Sequence, residues 1–328
     1  MGTTGLRIGV TGCGHAARAH LARLAALDGV SVVGLADPDR SAADALASRF
    51  PAGSVRAFGD HVELLREVQP DILAIFTPHL AHYRAAMDAL QAGCHVFVEK
   101  PLSTNVQEAV DIVNVARGRG KTVGVGHQYR LLPSLVEARR LLNEGTIGRV
   151  RLASAVMAQP WLASHGGVEN SWRFDPKVAG GGILADVGDH LIDALLWTTG
   201  QESREVSAIQ SRLESGLDVV TAAAIRLGDD LPVILGLCGV SSGTIFEISF
   251  YGERGRLRVT DRTLVSESVD GSTHEIPLPE PAASIDSDFV SAVREGRPPC
   301  CPADQALATV RLLEGVARSA ATGQVVRL

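Results

Sequence analysis

Between Gly180 and Asp193 a three-glycine turn opens into a run that, read as a helix, carries Asp186, His190 and Asp193 on one side. Steps of four and three residues place these groups within a sector of roughly 60° on a 3.6-residue helix. The remaining circumference is apolar: Leu184, Val187, Leu191, Ile192, Ala194, Leu195 and Leu196. A helix apolar nearly all round is a buried helix, and buried carboxylates and imidazoles are expensive unless they are partnered or functional. The segment therefore reads as an acid/base strip set into a closed pocket. A His–Asp pair that only caps and pins a core helix would leave the same pattern, so the rest of the chain must decide.

A second cluster lies at the other end. Directly after a strand-like run over 6–11 come Gly12, Cys13, Gly14, His15, Ala16 and Ala17, and then a helical stretch. This is the G-x-G-x-x-G/A fingerprint with Ala17 in third place. Gly12 allows the tight turn, Gly14 lets backbone approach a pyrophosphate, and Ala17 permits close helix–strand packing. The anion then rests on the loop and the unpaired N–H groups of the helix N-terminus, from Cys13 to Ala16. About 20 residues further on, where a ribose-binding carboxylate is expected, the second strand ends at Asp37. That carboxylate would accept hydrogen bonds from an adenosine ribose diol and repel a 2′-phosphate, which favours NAD over NADP. Arg40 close by weakens the preference.

Two further strand ends carry polar groups: Thr77-Pro78-His79 with His82 one turn on, and Glu99-Lys100-Pro101. In open α/β sheets ligands bind outside the carboxyl ends of the strands, so both segments are expected to line the dinucleotide and its substrate. Pro101 holds the Lys100 backbone extended or turned. A desolvated lysine beside a nicotinamide can donate to a hydroxyl or carbonyl oxygen and ease its ionisation.

These residues need elements to position them. The first 125 residues alternate apolar β-rich runs (6–11, 30–36, 72–76, 95–98, 122–125) with helical patterns (16–27, 41–49, 61–67, 81–92, 106–119). That alternation predicts a doubly wound parallel sheet, an α/β Rossmann domain over 1–126. Beyond it the rhythm changes to a helix over 133–143, a strand over 150–158 and the Gly180 helix. Strand segments follow at hairpin-like spacing over 206–211, 219–227, 233–240, 244–251 and 255–260. The expectation for 127–328 is an α+β domain with a large, mostly antiparallel, open-faced sheet. Helices over 285–295 and 303–322 close the chain and are able to pack back on the first domain.

Length and composition agree with two globular domains: 328 residues, 45% hydrophobic and 21% charged. A net charge of −6 with no basic stripe argues against nucleic acid or anionic lipid as the main partner. No apolar run reaches membrane-spanning length, and the N-terminus has no signal-peptide pattern. Five cysteines, Cys13, Cys94, Cys238, Cys300 and Cys301, show no metal spacing, and their odd number discourages a disulfide framework. We therefore expect no bound metal and a reducing cytoplasm.

The ordered set of motifs resembles the Gfo/Idh/MocA family of nicotinamide-dependent oxidoreductases across nearly the whole chain. It comprises the Gly12/Gly14/Ala17 fingerprint, Asp37-Pro38, Thr77-Pro78 with His82, and Ala92-Gly93-Cys94-His95-Val96 leading into Glu99-Lys100-Pro101. Trp172-Arg173, the run 179–182 and Asp186-x-Gly188-x-His190-x-x-Asp193 complete it. The resemblance implies that Lys100, Asp186 and His190 form the catalytic group, and that the open sheet mediates a homodimer or homotetramer. His79 stands where many members carry Asn.

The expected chemistry is hydride exchange between NAD and a secondary alcohol carbon of a sugar, sugar derivative or inositol. His190 would remove the hydroxyl proton, since imidazoles titrate near neutrality. Lys100 would steady the same oxygen, and Asp186 would bind a neighbouring hydroxyl or favour the protonated imidazole. Asp193 is expected to support the helix from behind. The stretch 159–173 offers Trp161, His165, Asn170, Trp172 and Arg173 for stacking on a sugar face and binding its hydroxyls. Trp172 could equally pack a domain junction, and Tyr129-Arg130 reads as structural. Two other readings stay open: glycoside cleavage through transient oxidation and elimination, and a non-catalytic cofactor-binding sensor.

Overall fold

The computed structural model describes residues 5–166, 171–281 and 283–328. The chain divides into two compact units, one formed by Met1–Gly126 with Ala283–Leu307 and the other by His127–Ala282 with Ala308–Leu328.

In the first unit, β1 (Leu6–Thr11), β2 (Val30–Ala36), β3 (Arg56–Phe58), β4 (Ile72–Ile75), β5 (His95–Val98) and β6 (Val123–Val125) form one sheet. All its pairings are parallel, in the order β3-β2-β1-β4-β5-β6. Helices α1 (His15–Ala25), α2 (Arg40–Ala47), α3 (His61–Val68), α4 (His82–Gln91) and α5 (Val106–Gly118) connect the strands. This is the doubly wound order, whose direction reverses between β1 and β4 and opens a ligand crevice there. The apolar runs are buried without alternation, as strands covered on both faces require. The three-residue β3 was not expected, because so short a run shows no readable period.

The second unit begins with α6 (Pro133–Asn143) and β7 (Val150–Ala158), followed by two short helices, α7 (Trp161–Gly166) and α8 (Pro176–Ala179). The stretch 159–173 contains helical turns and leads into a 3₁₀ turn at Trp172–Phe174. A π-turn at Leu184–Gly188 leads into α9 (Asp189–Thr199). Strands β8 (Ser203–Arg212), β9 (Asp218–Leu227), β10 (Leu231–Cys238), β11 (Ile245–Gly252), β12 (Gly255–Thr260), β13 (Leu264–Ser268) and β14 (Thr273–Glu275) follow. The chain closes with α10 (Ile285–Glu295), α11 (Ala303–Thr322) and β15 (Val326–Arg327).

The nine strands of this unit run β14-β13-β12-β11-β7-β10-β9-β8-β15, antiparallel except for the parallel pair β7–β10. Burial alternates along β9 and β10, so one face is core and the other is open. Leu191, Leu195, Val233, Leu235 and Phe250 belong to the core on the covered face. On the open face, register aligns Ile209, Ala222, Gly236 and Val156 across four neighbouring strands. Ile209 is 74% exposed there, and Ile234 56%.

Within the first unit, Phe289 of α10 packs on β6, where a Cβ on Gly124 would lie 2.4 Å from its ring. No helix among the described residues is long and apolar enough to cross a membrane.

Candidate active site

The glycine turn lies where β1 meets α1. Gly12 has φ +85°, and a Cβ there would lie 2.6 Å from the Phe76 carbonyl group at the end of β4. Glycine is thus required twice, by conformation and by the close approach of the two strand ends. No side chain caps α1 behind Gly14, and its first turn holds no acidic residue, so its leading amides face outward for an anion. Gly14 and His15 are exposed and Ala16 half-buried, as a phosphate-binding turn needs. We expect Gly12→Ala to abolish NAD binding in calorimetric titration and to cost about 1–3 kcal/mol from backbone strain alone. Wild-type affinity in that variant would mean the turn binds no dinucleotide.

Asp37 leans over this turn. Its carboxylate accepts hydrogen bonds from the Cys13 amide at 2.7 Å and the Asp39 amide at 2.9 Å. Cys13 therefore acts through its backbone. Burial, with the Asp37 charge, pushes its thiol up to about 12, so the side chain is inert core. Arg40 is exposed and its Nε reaches Asp44 at 3.4 Å.

The other strand ends are engaged more internally than the sequence suggested. Thr77 and Pro78 are half-buried, and His79 is buried with its ring 5.8 Å from that of His82. The His82 nitrogens lie 2.7 Å from the Pro101 carbonyl and 2.9 Å from the Thr77 carbonyl. Burial lowers its pKa, and the fully buried ring lies between these two loops with one nitrogen near each carbonyl. Glu99 is half-buried, and its Oε1 lies 2.9 Å from His20 Nε2. Burial alone would raise the Glu99 pKa, but His20 and Lys100 hold it below the usual range. Lys100 follows at the carboxyl end of β5 and is only 8% exposed. Its backbone amide donates to the Glu99 carboxylate at 3.3 Å.

In the second unit the acid/base strip is held by groups the sequence did not reveal. Gly182 lies against β9, where a Cβ would come 2.1 Å from the Asp218 carbonyl oxygen. The Asp218 carboxylate accepts from the Gly182 and Leu184 amides, capping the helix start from a neighbouring strand. The π-turn then interrupts the regular 3.6-residue spacing, and the three polar groups have different surroundings. Asp193 is clamped by Arg130 at 2.8 and 2.6 Å, with Thr309 Oγ1 donating at 3.2 Å. Burial opposes its charge, but His127 and Arg130 outweigh this and lower its pKa. Asp189 contacts His127 Nε2 in a short hydrogen bond. Asp186 accepts at one oxygen from Trp161 Nε1 at 2.8 Å and Arg173 Nε at 2.9 Å. The His190 ring stacks on Tyr129, centroids 4.8 Å apart and planes 15° from parallel.

Trp161 was expected to offer a stacking face. It is fully buried instead, and its indole N–H orients Asp186. The Arg173 guanidinium lies over the Trp172 ring at 4.5 Å, so Trp172, Arg173 and Asp186 form one connected chain. His165 is half-buried, with Nδ1 3.0 Å from the Trp161 carbonyl. Asn170 lies outside the described residues. His127, Asp189 and Asp218 escaped the sequence reading. Only the buried polar pattern near His190 hinted at them.

Residues 6–127 match the oxidoreductase family with an NAD-binding Rossmann fold, and residues 135–258 match the Gfo/Idh/MocA C-terminal domain. The dTDP-3,4-didehydro-2,6-dideoxy-alpha-D-glucose 3-reductase of Streptomyces antibioticus is 31% identical over 308 residues, 89% of each chain. D-glucoside 3-dehydrogenase of Escherichia coli (strain K12) is 27% identical over 201 residues, 61% of this chain and 56% of that protein. The chain thus spans little more than half the length of that relative. A solved levoglucosan dehydrogenase in complex with NADH shares the fold, with TM-score 0.88 at 20% identity, covering 98% of this chain and 99% of that one.

Proposed function

Because this chain belongs to the Gfo/Idh/MocA family of oxidoreductases, we propose that it is an NAD-dependent dehydrogenase or reductase of secondary alcohols in sugars, sugar derivatives or inositols. The observation that carries this reading is Lys100. It is 8% exposed at the carboxyl end of β5, where a doubly wound sheet binds its ligands, and its charge is balanced in part by Glu99. The nicotinamide, when bound, supplies the hydride chemistry.

The chain's own residues supply the rest. Gly12, Gly14 and the start of α1 hold the pyrophosphate, and Asp37 accepts from the adenosine ribose. His190 takes the hydroxyl proton, and Lys100 hydrogen-bonds the same oxygen and stabilises its developing charge. Asp186, oriented by Trp161 and Arg173, holds a neighbouring hydroxyl. Trp172 and His165 line the substrate side. The relatives named above act on sugar derivatives by their names, which supports a polyhydroxylated substrate. Assembly through the open sheet face into a homodimer or homotetramer is supported by its exposed apolar row. Five free cysteines suit a reducing cytoplasm.

A panel of sugars and inositols with NAD and NADP, followed by absorbance of the reduced cofactor, tests the reading. NAD should be preferred, as Asp37 predicts. A folded, NAD-binding protein that reduces no cofactor with any member of the panel would overturn it.

A further inference from the structure

An ion chain in the first unit, buried except at its Arg23 end, has no part in the chemistry described so far. It alternates in sign: Arg23, Asp286, His20 and Glu99, with Lys100 next to Glu99 in sequence. Arg23 Nε donates to Asp286 Oδ2 at 2.5 Å, and the other Asp286 oxygen lies 2.6 Å from His20 Nδ1. On its far side the same imidazole meets Glu99 Oε1 at 2.9 Å. The ring is stacked on Phe76 at the end of β4, centroids 4.5 Å apart, with Phe97 of β5 tilted against it at 5.5 Å. Three elements remote in sequence, α1, β5 and α10, therefore converge on one ring that both packing and hydrogen bonds hold in place.

We propose that His20 is a positioning residue for Lys100, clamping the Glu99 carboxylate beside it to Asp286 on α10. The inference rests on the role given to Lys100 above. An imidazole can donate to two carboxylates only when both nitrogens carry protons. Burial pushes the His20 pKa down, but the hydrogen bonds and charges of Asp286 and Glu99 outweigh it and raise it to about 8. The groups facing the ring are Asp286 from α10 and Glu99 from β5, with Phe76 and Phe97 apolar. Arg23 acts through Asp286, and Lys100 and His82 act through Glu99. Below pH about 8 the protonated ring holds both carboxylates. Above it one hydrogen bond is lost, and Glu99 is freed to move with the Lys100 backbone. Misplacement of a reacting group by about 1 Å can cost on the order of 100-fold in rate.

His20→Gln, which is neutral at every pH and has one amide in place of two ring nitrogens, tests this. The expected result is a fall in kcat of about tenfold or more at pH 7 with the NAD Kd within about threefold. The decline of wild-type kcat above pH about 8 should be absent in that variant. Asp286→Asn should move that decline to lower pH. A His20→Gln enzyme with kcat within about twofold of wild type and a superposable pH profile would show that the chain only packs α10 onto α1. Should His20→Gln fail to fold, an unshifted limb in Asp286→Asn overturns the proposal equally. A wild type that oxidises no polyol counts against the assigned function, and NMR titration of His20 in the intact chain then decides. An imidazole pKa near 8 that drops in Glu99→Gln supports the clamp, and one near 6.5 or unmoved sinks it.

Discussion

His190→Ala should lower turnover by at least about 100-fold while leaving NAD affinity within about threefold of wild type. The split follows from where the residue sits. His190 opens the regular part of α9 in the second unit, and the glycine turn, α1 and Asp37 all belong to the first. Removing the imidazole takes away the proposed proton acceptor and one face of the stack with Tyr129, but no part of the glycine turn proposed to hold the dinucleotide. Pre-steady-state NADH formation and equilibrium NAD titration, run on the same preparation, check both halves. A variant turning over within about tenfold of wild type would remove His190 from proton transfer.

Arg130→Met should cost about 3–5 kcal/mol of stability at pH 7, because it leaves the Asp193 carboxylate buried without its guanidinium. Arg130 is 2% exposed and Asp193 1%, so solvent cannot replace the lost pair. The sign with pH is fixed by the lowered Asp193 pKa. Stability from the pair is present above the unfolded carboxylate pKa near 3.9 and is lost as pH falls through the folded value. The gap between wild type and variant should therefore narrow in acid. Combining Arg130→Met with Asp193→Leu should recover most of the loss, since an apolar pair of similar volume is often tolerated in place of a buried ion pair. Urea unfolding followed by circular dichroism at several pH values measures all three. A double variant no more stable than Arg130→Met would show that the arginine acts elsewhere.

Much of the fold was legible because its signals are local. The Gly12/Gly14/Ala17 turn, the Asp37 strand end and the β-rich runs of β1, β2, β4 and β5 are each read within a few residues. The strip of Asp186 and His190 was visible as polar groups in an apolar helix, and Lys100 as a lysine locked before proline at a strand end. Shorter features were not legible. The strands β3, β14 and β15 have two or three residues and no period. The π-turn broke an angular pattern that assumes 3.6 residues per turn.

What the sequence set out alone was which chemistry to expect: a Gly12/Gly14/Ala17 turn, a lysine held before proline at a strand end, and a carboxylate four residues before an imidazole. Tertiary structure decided which group each of these holds. His20 meets Asp286 across 266 positions, Arg130 meets Asp193 across 63, and Asp218 caps a helix that begins 36 positions earlier. The same packing made Trp161 a buried hydrogen-bond donor to Asp186 and gave Glu99 and His82 partners within the first unit. Residue type and spacing constrain only chain neighbours. The partner of a buried charge is whichever opposite group the fold brings within about 3 Å, and desolvation makes that pairing obligatory.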